Sequence, residues 1–147
     1  MNVVTPVEVG IVLALVSVAL GRFAGFDRDR AFYPTMGIVV ASYYSLFAAV
    51  GGTPAAVWTE SLIALLFAAA AIAGFRHSLW WAVVAIAGHG LFDAVHGRLV
   101  ANPGVPASWP AFCLTFDVVA GGALAVLLLR RDVRERDASR ARSEAAR

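Results

Sequence analysis

Lysine is absent from this 147-residue chain, cysteine occurs once, and charged residues make up only 15% of it. Each shortage excludes something. The single Cys113 rules out an internal disulfide framework and leaves the redox compartment undefined. A soluble domain of this length would carry about 25% charged residues, so water is not the main solvent of this one. The first nine residues lack the basic start of a secretory signal and carry Glu8 instead, so the first apolar run is expected to be a retained span. Basic charge is also missing from most of the chain. All twelve basic residues are arginine, and seven of them (Arg130, Arg131, Arg134, Arg136, Arg140, Arg142 and Arg147) follow the last apolar run. That distribution fits a cytoplasmic flank beside anionic lipid and does not fit a nucleic-acid module.

What is present is apolar sequence, at 60% of residues and a mean hydropathy of +0.74. Five runs have the length of a membrane crossing, at 6–25, 33–50, 55–74, 79–97 and 110–129. They predict an all-α integral membrane protein, a five-helix bundle over 1–129 followed by an arginine-rich tail over 130–147. Pro6 suits a helix start, Gly51-Gly52-Thr53-Pro54 makes an uncharged turn, and the proline-rich segment 100–110 is expected to be a loop. The tail either extends the fifth span as a solvated helix or stays disordered.

Five spans place the termini on opposite sides, and the arginines support that count. Arg22, Arg28, Arg30, Arg76 and the seven tail residues fall on one side, with only Arg98 on the other. The positive-inside rule then puts the amino terminus outside and the tail in the cytoplasm. Tyr33, Trp80 and Trp81 fall at the expected inner boundary, and Trp58 and Trp109 near the outer one. The absence of lysine beside abundant alanine and arginine suggests a GC-rich bacterial genome, and hence a multi-pass protein of the bacterial inner membrane. The bilayer is the implied partner, and homo-oligomerisation is compatible with the small size.

Ionisable groups inside a span cost at least about 2.5–3.5 kcal/mol each, so they normally face the bundle interior and mark a function. Five stand out. His89, Asp93 and His96 lie on one stripe of the fourth span, because Asp93 is offset about 40° from His89 and His96 about 20° the other way. Glu60 lies on the third span and Asp117 on the fifth, with Cys113 one turn before Asp117. Counted from the outer ends at about 1.5 Å per residue, Glu60 is about 9 Å deep, Asp117 about 10 Å, Asp93 about 7 Å, His89 about 13 Å and His96 about 3 Å. Matched depth on three antiparallel spans predicts one polar site in the outer half of the bilayer.

Imidazoles and carboxylates projecting from neighbouring helices are the donors of zinc and iron sites in helical bundles. The expected ligands of a divalent transition metal are therefore His89, Asp93, His96 and Asp117, with Glu60 as a general base. His89 and His96 are about 10 Å apart along the axis, which makes one ion bound by both difficult; Asp93 bridging two metals, with Glu60 and Asp117 completing the shells, would resolve this. A metal-dependent enzyme acting on a lipid fits this reading. Two alternatives remain open at this stage: a proton or cation pathway, and a hydrogen-bonded network within a noncatalytic subunit. Cys113 as a soft ligand, Tyr43 or Tyr44 as a proton donor, and Glu8 as a further member of the cluster complete the candidates.

Overall fold

In a computed structural model that describes residues 5–145, the chain forms five α-helices. They are α1 (Pro6–Ala24), α2 (Phe32–Gly51), α3 (Pro54–Arg76), α4 (Trp80–Leu99) and α5 (Trp109–Ala145), with one 3-10 turn at Phe26–Arg28. Residues 1–4 and 146–147, Arg147 among them, and the side chains of Arg134, Arg136 and Arg140 lie outside this description.

Local chemistry explains the helix ends. Thr5 caps α1 through a bond from the Glu8 amide to its hydroxyl, while the Glu8 carboxylate accepts from the Thr5 amide at 2.7 Å. This reciprocal box satisfies two amides that the first turn leaves open. It also fixes the role of Glu8, which caps its helix. Gly25, at φ 79°, ends α1 in the left-handed region where a side chain would be strained. Thr53 accepts from the Ala56 amide and Pro54 follows it, so the uncharged turn is also the start of α3. Helix α5 continues past the apolar run to Ala145, so the tail extends the last span.

Four helices, α1, α2, α3 and the apolar part of α5 (Trp109–Arg131), are long and apolar enough to cross a membrane. Helix α4 has the length, at 20 residues, but carries His89, Asp93, His96 and Arg98, which depress its mean hydropathy. Small residues fill the interior. Ala14, Ala71, Ala82, Ala85 and Ala120 are fully buried, with Ile86 and Leu124 beside them, while Leu62, Leu65 and Leu91 are more than 60% exposed. A soluble protein would reverse this pattern. In lipid, large side chains gain nothing by leaving the hydrocarbon, and small ones let backbones meet closely. Tyr33, expected as an interfacial anchor, joins the interior cluster instead at 3% exposure.

Helix α4 lies at the centre, packed against α5, α3 and α2, while α1 packs against α5. At one end the Arg30 guanidinium donates to the carbonyls of Gly74 and His77, at 3.1 and 2.9 Å. These are orphan acceptors at the end of α3, and the two bonds draw the α1–α2 and α3–α4 connections together. At the other end Asn102 donates to the Tyr44 carbonyl at 3.1 Å, folding the α4–α5 loop over α2.

Candidate metal centre

All five ionisable candidates, Glu60, His89, Asp93, His96 and Asp117, are buried, none more than 3% exposed. The stripe on α4 is the organising element. Its residues face inward because the 3.6-residue repeat keeps positions 89, 93 and 96 on one side of the helix, and that side meets α3, α2 and α5. Both carboxylates from other helices reach this stripe, but at different histidines.

The deeper group is His89, Asp93 and Asp117. His89 Nδ1 lies 2.7 Å from Asp117 Oδ2 and 3.6 Å from Asp93 Oδ2, so one nitrogen faces both carboxylates. One donor atom from each of the three residues falls within 4.8 Å of the others. Gly90 makes this possible. A Cβ at that position would stand 2.8 Å from Asp117 Cβ and 3.1 Å from the Leu114 carbonyl, closer than atoms pack. With hydrogen there, α5 comes near enough for Asp117 to touch His89.

The shallower group is His96, Glu60 and Asn102. Glu60 Oε1 is 2.8 Å from His96 Nε2 and accepts from Asn102 Nδ2 at 2.9 Å. Tyr44 separates the two groups, its ring stacked on His96 at 4.0 Å and 5.8 Å from that of His89. Phe67 and Phe92 close the sides, edge-on to His89 and His96 respectively. The single polar site expected from matched depth is therefore two adjoining groups. His96, expected beside His89 on the metal, faces Glu60. The cause is the axial rise between positions 89 and 96, about 10 Å, which exceeds the reach of one carboxylate.

The hydrogen bonding is incomplete. Asp117 Oδ1 and Glu60 Oε2 are buried without a partner, while Asp93, also buried, faces the Tyr44 hydroxyl and His89 Nδ1, the latter at 3.6 Å. Buried polar atoms are normally satisfied, and an open acceptor in a medium without water costs several kcal/mol. A network serving only to join helices would supply donors to Asp117 Oδ1 and Glu60 Oε2 as well. A cation between His89, Asp93 and Asp117 would take one donor atom from each, a set of one nitrogen and two oxygens suited to zinc or iron.

Cys113 is buried one turn from Asp117 but is not part of the donor group. Tyr43 packs against Trp109 and Phe47. Asn102 was not among the sequence candidates. Its only signal is the dipeptide Asn102-Pro103, a turn former whose side chain accepts from the Gly104 amide at 3.2 Å. No protein-family model, curated protein or solved structure matches the chain, so the case for its function rests on this arrangement of residues.

Proposed function

We propose that this is a five-span protein of the bacterial inner membrane, amino terminus outside and tail in the cytoplasm, that binds a divalent transition metal, zinc or iron, through His89, Asp93 and Asp117. Three protein donors leave coordination positions open, as in catalytic rather than structural sites. The observation that carries the reading is that buried His89, Asp93 and Asp117 each bring one donor atom within 4.8 Å of the others. The eleven-to-one arginine split supports the orientation. Such an ion, when bound, polarises a carbonyl or phosphoryl oxygen and makes water acidic enough to act as a nucleophile near neutral pH. In the role of general base Glu60, held by His96 and Asn102 with its other oxygen open, would act from the shallower group across Tyr44, and a lipid ester, amide or phosphoester is the matching substrate.

One observation favours a proton pathway instead: Tyr44 stands between two His-carboxylate pairs with its hydroxyl facing Asp93. Against a through-pathway, the interior on the cytoplasmic side of His89 is closed by Ala82, Ala85, Ile86 and Leu124. Metal content separates the two. Wild-type protein purified in detergent without chelators is expected to carry metal near stoichiometrically, and Asp93→Asn and His89→Ala to carry almost none. His77→Ala, on an exposed residue of the α3–α4 connection, is the control that keeps it. Equal content in all four proteins would remove His89 and Asp93 from the site.

A further inference from the structure

Above the shallower group the bundle opens. A cleft of about 670 Å³ lies between the start of α3, the end of α4 and the α4–α5 loop, lined by Thr53, His96, Val100, Asn102, Val105 and Pro110 among others. His96 is the one ionisable residue among those that line it. Directly behind His96 and Asn102 is Glu60, 1% exposed, whose Oε1 takes both of their donors while Oε2 has none.

Asn102 makes the cleft floor rigid. It bonds Glu60, the Tyr44 carbonyl and, through its own oxygen, the Gly104 amide. The Gly104 backbone in turn touches the Phe47 carbonyl so closely that no side chain fits there. A loop fixed at this many points holds the imidazole and carboxylate in place, as a ligand site requires.

The deeper donors connect to this floor through contacts already described. His96 stands three residues from Asp93 on the same face of α4, and the Tyr44 ring touches both histidines. Below His89 the interior is Ala85, Ala82, Ile86 and Leu124, all buried and apolar. The cleft itself ends at His96 and Asn102, with Tyr44 between that floor and the deeper donors.

We propose that His96, Glu60 and Asn102 form a second cation site, open to the outer side through the cleft, where a divalent transition metal exchanges water for imidazole and carboxylate before it moves to His89, Asp93 and Asp117. This rests on the metal reading of the deeper group. A carboxylate behind a cleft with apolar walls focuses the field on an approaching cation and raises its rate of arrival. The site governs how fast the ion is acquired, whereas the deeper donors govern how tightly it is held.

The test is the rate at which metal-stripped full-length protein in proteoliposomes takes up zinc added outside. Glu60→Gln keeps an oxygen for both donors but loses the charge, and loading is expected to slow by about tenfold or more with the final stoichiometry unchanged. Ala101→Cys, on the cleft wall, is expected to load normally until a bulky, membrane-impermeant thiol reagent is added outside and then to slow likewise. Cys113 is buried, so the introduced thiol is the reactive one. Loading of both variants at the wild-type rate, with full final occupancy, overturns the port and leaves the deeper centre standing. Loss of final occupancy in Glu60→Gln makes Glu60 a ligand of the tightly held ion and also overturns the port. A wild-type protein that takes up no zinc overturns both.

Discussion

Metal-stripped protein is expected to melt about 5–10 °C below the same protein in zinc or iron at about a hundred times the dissociation constant. A ligand bound only by the folded state adds about 2.7 kcal/mol at that excess. A chain of this size moves by about 2–4 °C per kcal/mol. The folded-state preference follows from the donors, which come from α4 and α5 and converge only when those helices pack. Asp93→Asn keeps the side-chain volume but removes a negative oxygen donor, so its melting temperature should not respond to metal. His77→Ala should respond like the wild type. A response of equal size in Asp93→Asn, read by thermal scanning across a metal titration, would show that the ion acts elsewhere on the chain.

The second large effect is expected at the shallower group and needs no metal. Removing the imidazole in His96→Ala leaves the Glu60 carboxylate, 1% exposed, with Asn102 as its remaining donor. Breaking one side of a buried pair of this kind costs about 3–5 kcal/mol, because the surviving carboxylate is cut off from water and keeps a single neutral donor. The α3–α4 interface should loosen, since this pair joins those two helices. Glu60→Gln retains an oxygen acceptor for His96 and Asn102 and carries no charge, so its expected cost is only about 1–2 kcal/mol. Unfolding of the two variants in the same detergent gives the comparison. A His96→Ala variant as stable as Glu60→Gln would mean that the pair contributes little to the bundle.

The sequence carried much of this arrangement because two regularities survive without coordinates. Apolar run length located the first four helices and the start of the fifth to within a few residues, with Pro6 marking the start of α1, while α5 runs on from the expected end at Leu129 to Ala145. Helical phase placed His89, Asp93 and His96 on one face, and depth counting brought Asp117 and Glu60 to that face from α5 and α3. The same axial rise that warned against one ion bound by both histidines is what divides the cluster. Which carboxylate meets which histidine was not legible, because it depends on the close approach of α5 at Gly90, a property of the interface between two helices.

Asn102 was hidden for a different reason. Nothing local states that a proline-rich loop folds back over the bundle, and its contacts with Tyr44 and Glu60 span 58 and 42 residues of sequence. Tyr44 could not be told from Tyr43 because α2 is apolar on all sides, so periodicity gives no inward face. The tail is the opposite case. Its alternating charges allow either helix or disorder, and the helix follows from continuity with α5 past Leu129.

X-ray absorption at the metal edge of the purified, metal-loaded protein reads the ligands of the ion. One ion per chain is expected, with only nitrogen and oxygen neighbours at about 2.0–2.2 Å, including the scattering of a single imidazole. Sulfur in the first shell would place Cys113 on the ion, and two imidazoles would return His96 to it. Either result, or an edge no stronger than that of the Asp93→Asn protein, would contradict a centre built from His89, Asp93 and Asp117.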